Sequence, residues 1–148
     1  MRSLLFIALF VLVLVRSFAG DTTHPESAQQ AYEQLISVKI FAFGGVGYAG
    51  ITSEGELCVR EIASSTNGLK MFRSALAKGT TAAQLYALCG IRRCASSEFD
   101  AAAAPVVTAN RKVSTMAGCI MSEVSASNIV NHIKNGSYNL YFTDKDKR

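Results

Sequence analysis

Thr80-Thr81-Ala82-Ala83-Gln84-Leu85-Tyr86-Ala87-Leu88-Cys89-Gly90-Ile91-Arg92-Arg93 is the stretch that decides how this chain folds. Thr81 and Gln84 have the spacing of a capping box, the hydroxyl accepting from the Gln84 N–H while the amide reaches back. Ala82, Leu85, Tyr86, Cys89 and Gly90 then recur at helical spacing and form one apolar stripe. A second helical pattern ends at Gly79, only a residue or two upstream, and so short a connection makes the two helices antiparallel neighbours. The expected fold is therefore mainly α. It is a compact bundle of short antiparallel helices with at most one small extended or hairpin segment.

Working outward, the pattern predicts helices over 26–37, 53–64, 68–78, 81–93, 97–104 and 126–134. The first begins at Pro25 or Glu26, where a missing N–H costs nothing, and turns Ala28, Ala31, Tyr32, Leu35 and Ile36 to one side. Ser53-Glu54-Gly55-Glu56 reads as a second capping box, with both acids in the first turn where the helix dipole favours them. Leu57, Cys58 and Ile62 follow as its buried face. Gly79 suits a helix stop, and Pro105 limits the alanine-rich helix because a residue before proline is pushed out of helical geometry. Val38–Phe43 is too apolar for a surface loop and predicts a short strand or extended segment. Val113–Met116 and Cys119–Met121, around Ala117-Gly118, predict a small hairpin or an extended crossing.

Gly45-Val46-Gly47-Tyr48-Ala49-Gly50 matches G-x-G-x-x-G, whose glycines bring backbone amides to a pyrophosphate. The match is partial. The next helix starts only after the last glycine, at Ser53, and no second apolar strand ending in an acidic residue follows at the required distance. A tight turn without a cofactor is the expectation.

Residues 1–19 read as a cleaved signal peptide: Arg2, the apolar run Leu4–Val15, then Ser17-Phe18-Ala19, with cleavage after Ala19 or Gly20. Residues 20–148 then form one exported domain, secreted or periplasmic, with a short charged C-terminal tail. The whole chain has 15 basic and 11 acidic side chains. With Arg2 and Arg16 gone, 13 face 11, too small a surplus to argue for nucleic acid or an anionic membrane. A protein partner is left open, with no membrane attachment of the mature form.

All four cysteines, Cys58, Cys89, Cys94 and Cys119, lie in the mature part, and an even count in an oxidising compartment reads as two disulfides. Five residues along a helix turn through about 500°, so Cys89 and Cys94 diverge. That leaves Cys89 with Cys58 or Cys119. The apolar crossing at Cys119-Ile120-Met121 makes Cys89–Cys119 the choice, with Cys58–Cys94 as the second bond.

Sites for chemistry are few. His24 and His132 are the only histidines, no metal-binding spacing exists, and no G-x-S-x-G elbow occurs. A Cys–His hydrolase would need a free Cys119 thiolate near His132. Glu54, Glu56 and Glu61 are explained by capping and an exposed helix face. No catalytic, cofactor-binding or metal residue is therefore assigned, and Tyr48 and His132 are kept as residues whose convergence would matter. Asn135-Gly136-Ser137 is a glycosylation sequon that carries meaning only in a eukaryotic source. Tyr138, Tyr141 and Phe142 either complete the core or leave an apolar patch for a partner.

Residues 67–104, with Leu85-Tyr86-Ala87-Leu88, look like a HEAT-type helical repeat. The set Gly45–Gly50, Thr52–Glu56, Gln84–Gly90 and Gly118-Cys119-Ile120 resembles a group of small exported proteins of unassigned function. That resemblance implies a shared fold with Cys89 and Cys119 paired, and it implies no activity. The expected function is binding or structure without catalysis. The alternatives are a Cys–His hydrolase and an inhibitor or immunity-type protein of a secreted enzyme.

Overall fold

The computed structural model describes residues 25–142, and the expected signal peptide, His24 and the charged end of the tail lie outside them. Six α-helices occur among the described residues: α1 (Ala28–Leu35), α2 (Glu54–Ser64), α3 (Gly68–Lys78), α4 (Thr81–Cys94), α5 (Phe99–Ala109) and α6 (Ala126–Lys134). Mainly α is therefore the correct class. Extended structure exceeds the single small segment expected. β1 (Ile40–Phe41) runs parallel to β4 (Lys112–Ala117), and β4 is antiparallel to β5 (Ile120–Ser125), in the order β1-β4-β5. β2 (Gly45–Val46) and β3 (Ile51–Thr52) form a separate two-stranded hairpin.

The excess has a physical origin in two apolar runs. Ile40-Phe41 is paired with Ser114-Thr115, with the β2–β3 hairpin and helices α2 to α5 between them in sequence, so the sheet closes the fold rather than decorating it. Phe41, within that pairing, and Val113, beside it on β4, are both buried, which explains why Val38–Phe43 carries so little polarity.

α4 is the centre. Ala82, Ala83 and every residue from Leu85 through Ile91 are buried, so the helix is enclosed nearly all round rather than along one stripe. It touches α2, α3, α5, α6, β1 and β4. Small residues make that enclosure possible. A Cβ at Gly90 would lie 2.3 Å from the ring of Phe72, itself fully buried, so α3 could not approach a larger residue there.

Two helix ends differ from expectation. The cap of α4 is Thr80, not Thr81: its hydroxyl accepts from the Ala83 N–H (3.1 Å) and donates to the Val38 carbonyl. Gln84 donates to the Leu76 carbonyl (3.0 Å), tying α4 to the end of α3. Pro105 does not end α5, which runs on to Ala109 and stops at Asn110 in a left-handed conformation (φ 42°). The carbonyl deprived of a partner by Pro105 is that of Ala101, which is solvent-exposed, while Val106 beyond the proline is buried. Hydration covers the lost bond, and the buried valine rewards continuing the helix.

Candidate functional site

The glycine-rich segment is a hairpin fastened at its base. Gly45 pairs with Thr52 and Val46 with Ile51, and Gly47 and Gly50 take positive φ (69° and 61°) to close the turn between them. Its tip is tied to the β4–β5 turn, where the Gly47 N–H donates to the Gly118 carbonyl (2.9 Å). Beneath it lies a buried polar network. The Tyr86 phenol donates to the Ala42 carbonyl (2.5 Å) and accepts from the Ala42 N–H (2.8 Å). The Ser53 hydroxyl also donates to the Ala42 carbonyl (2.6 Å) and caps α2 by accepting from the Glu56 N–H (3.2 Å). The Glu56 carboxylate, almost wholly buried, accepts from the Gly44 N–H (2.7 Å) and pairs with Arg60 one turn along α2. Gly55 is required for a steric reason: a Cβ there would stand 2.2 Å from the Tyr86 ring. Burial raises the Tyr86 phenol well above its ordinary range, so it remains a neutral donor.

Two cavities flank this anchored segment. The larger, about 420 Å³, opens between the hairpin, the loop after α1 and the start of α2. Val38, Ile40, Val46, Ile51 and Met116 supply its apolar walls, and Lys39 and Glu54 also line it. Among the described residues neither charge forms an ion pair or a hydrogen bond. The smaller cavity, about 310 Å³, is aromatic, lined by Phe41, Phe43, Tyr138, Tyr141 and His132 among others. Phe43 stacks on Tyr141 (5.1 Å) and lies 5.0 Å from Tyr138, whose phenol is pushed up to about 12, chiefly by burial. The C-terminal aromatics thus complete the core. Arg93 lies over the Phe142 ring at 5.4 Å.

The residues singled out from sequence fall in separate places. His132 is exposed on α6 and borders the aromatic cavity, whose lining includes neither Cys119, Tyr48 nor any carboxylate. Tyr48 is fully exposed at the hairpin tip. Asn135 is the exposed C-cap of α6, followed by Gly136 in a positive-φ turn. No group of three His, Cys, Asp or Glu suited to a metal occurs among the described residues. None of their helices is long and apolar enough to cross a membrane.

In the structure all four cysteines are free thiols, and no two of them stand at bonding distance. The reason is placement. Cys89 is enclosed on α4 while Cys119 is exposed in the β4–β5 turn, so the supposed core crossing is instead a hairpin end. Cys58 is buried on α2 with its thiol donating to the Gln34 amide oxygen (3.5 Å), whereas Cys94 is exposed at the end of α4. Burial, with the Glu54 charge adding, pushes the Cys58 thiol from its ordinary 9.0 up to about 12, and burial alone pushes Cys89 well up. Both thiols hold their protons more tightly folded than unfolded. Their contribution to stability is therefore complete below pH 9 and is lost as pH rises from 9 toward 12. Urea unfolding at pH 8 and pH 10.5 should show this loss, reduced in Cys58→Ala. A thiol reagent at pH 8 should modify Cys94 and Cys119 in the native protein, and Cys58 and Cys89 only after unfolding.

Lys39, Glu54, Glu56 and Tyr86 were not singled out as a site from sequence. Lys39 did carry a signal, being the one charge inside the apolar run Val38–Phe43. Glu54 and Glu56 differ by two positions on one helix, and nothing in their spacing tells which is buried.

No protein-family model matches the chain. No curated protein and no solved structure matches it either.

Proposed function

We propose that this is a small exported protein that acts by binding rather than by catalysis, and that the 420 Å³ cavity beside the glycine hairpin is where it binds. The observation that carries the reading is the combination of apolar walls with two charges of opposite sign in one concavity, neither of them paired among the described residues. Small-molecule sites have this character, mostly apolar with a few placed polar groups, in volumes of about 300–1,000 Å³. The buried bonds from Tyr86, Ser53 and Glu56 support it, because they fix the backbone on either side of the cavity before anything enters. The hydrolase alternative has no comparable support: Cys119 is exposed in the β4–β5 turn, and the aromatic cavity that His132 borders is not lined by it.

A second reading, a protein that inhibits or shields a partner enzyme, is favoured by the exposed Tyr48, Ile51, Ile120 and Met121. They stand on two hairpins joined through Gly47 and Gly118. The HEAT-like reading of residues 67–104 rests on the α3–α4 pair and belongs with either role.

A fragment screen followed by methyl-detected NMR tests the first reading. Hits should shift Val38, Ile40, Val46, Ile51 and Met116 together. Hits that shift only residues elsewhere, or no hits at all, would reject the cavity as the site.

A further inference from the structure

We infer that the cavity beside the glycine hairpin takes a zwitterionic α-amino acid with an apolar side chain, its carboxylate on Lys39 and its ammonium on Glu54. The inference rests on the binding reading above and adds the chemical class of the ligand.

Lys39 lines the cavity from the extended run after α1 and Glu54 from the first turn of α2, so the opposite charges belong to separate elements bordering one apolar space. Neither is bonded to another side chain among the described residues, and both are exposed, so water solvates them while the cavity is empty. A ligand with a carboxylate alone would gain Lys39 and meet repulsion from Glu54. A cationic amine would gain Glu54 and meet repulsion from Lys39. An uncharged apolar molecule would fill the walls and use neither. A zwitterion satisfies both charges at once, and its apolar side chain fits the space between Val38, Ile40, Ile51 and Met116. The cavity has room for one such molecule with some water.

The base of the hairpin supplies pre-organisation. Ser53, next to Glu54, is held by the Ala42 carbonyl, and Gly44 is held by Glu56, so the wall carrying Glu54 does not need to be ordered on binding.

The test is a titration of the purified protein with L-leucine, N-acetyl-L-leucine, L-leucinamide and N-acetyl-L-leucinamide, followed by methyl-detected NMR. Each exposed charge pair should contribute about two- to five-fold in affinity. Leucine should therefore bind tightest, and each of the three blocked analogues several-fold more weakly. Lys39→Met should erase the difference between leucine and leucinamide, and Glu54→Gln that between leucine and N-acetyl-leucine. The ligand series on the unaltered protein decides the matter whatever the variants' stability. Equal binding of all four at the cavity methyls would overturn the zwitterion while leaving the cavity as a binding site. Absence of shifts at those methyls with every probe would overturn both.

Discussion

Tyr86→Ala should lower the unfolding free energy by about 3–5 kcal/mol, the range for deleting a large buried aromatic side chain. Tyr86 is fully buried on the central helix, with its ring 4.7 Å from Phe41 and 5.3 Å from Phe43. Collapse into the space is limited, because Gly55 beside the ring has no side chain and the rings of Phe41 and Phe43 are held by Tyr138 as well. Tyr86→Phe separates packing from hydrogen bonding. It keeps the ring but strips the partner from the buried Ala42 N–H, while the Ala42 carbonyl keeps Ser53. One unsatisfied buried donor costs about 1–3 kcal/mol. Urea unfolding followed by far-UV circular dichroism checks both values. A Tyr86→Ala loss below 1 kcal/mol would mean that the phenol does not organise the region.

The helices were legible because their signals are local. Gly79, a threonine cap and the apolar spacing from Ala82 onward all act within a few residues, and α2, α3, α4 and α6 start and stop close to where the pattern puts them, although Thr80 rather than Thr81 is the cap of α4. The errors came from long-range effects that override local preference. Pro105 breaks helices by depriving one carbonyl, but that carbonyl belongs to exposed Ala101, and burial of Val106 outweighs the loss. Cys119 sits in an apolar triplet, which suggests the core. Yet Ile120 and Met121 are themselves exposed at the end of a hairpin.

The candidate site was less legible than the fold, for the same reason. Glu54 and Glu56 carry the same charge in the same first turn. Which one is buried depends on Gly44, twelve residues before Glu56, donating its N–H to that carboxylate. Lys39 and Glu54 line one cavity because Ala42, just after β1, is bonded both to Ser53 at the start of α2 and to Tyr86, 44 positions away on α4. Single-residue chemistry is readable in a sequence, whereas convergence belongs to the tertiary structure.

Glu56→Ala should cost about 3 kcal/mol, the lower end of the range for breaking a buried ion pair. The lower end applies because the Arg60 side chain retains 28% of its exposure and can recover water, while the Glu56 side chain has 1%. Loss of the carboxylate also strips the acceptor from the Gly44 N–H, which donates a charge-assisted bond. Glu56→Gln keeps an acceptor of the same shape and loses the charge, so its cost should be smaller, about 1.5–3 kcal/mol. The damage should be local first. Gly44 begins the hairpin, so amide exchange at Gly44, Val46 and Ile51 should quicken in Glu56→Ala at a urea concentration that leaves α4 protected. Replacing both partners, as Glu56→Leu with Arg60→Leu, removes the Arg60 charge together with the carboxylate and should recover part of the stability, but not the protection of Gly44. If Glu56→Ala unfolds at the same urea concentration as the parent, with unchanged exchange at Gly44, then the carboxylate does not fasten the hairpin. The cavity wall carrying Glu54 would then be held by Ser53 and Tyr86 alone.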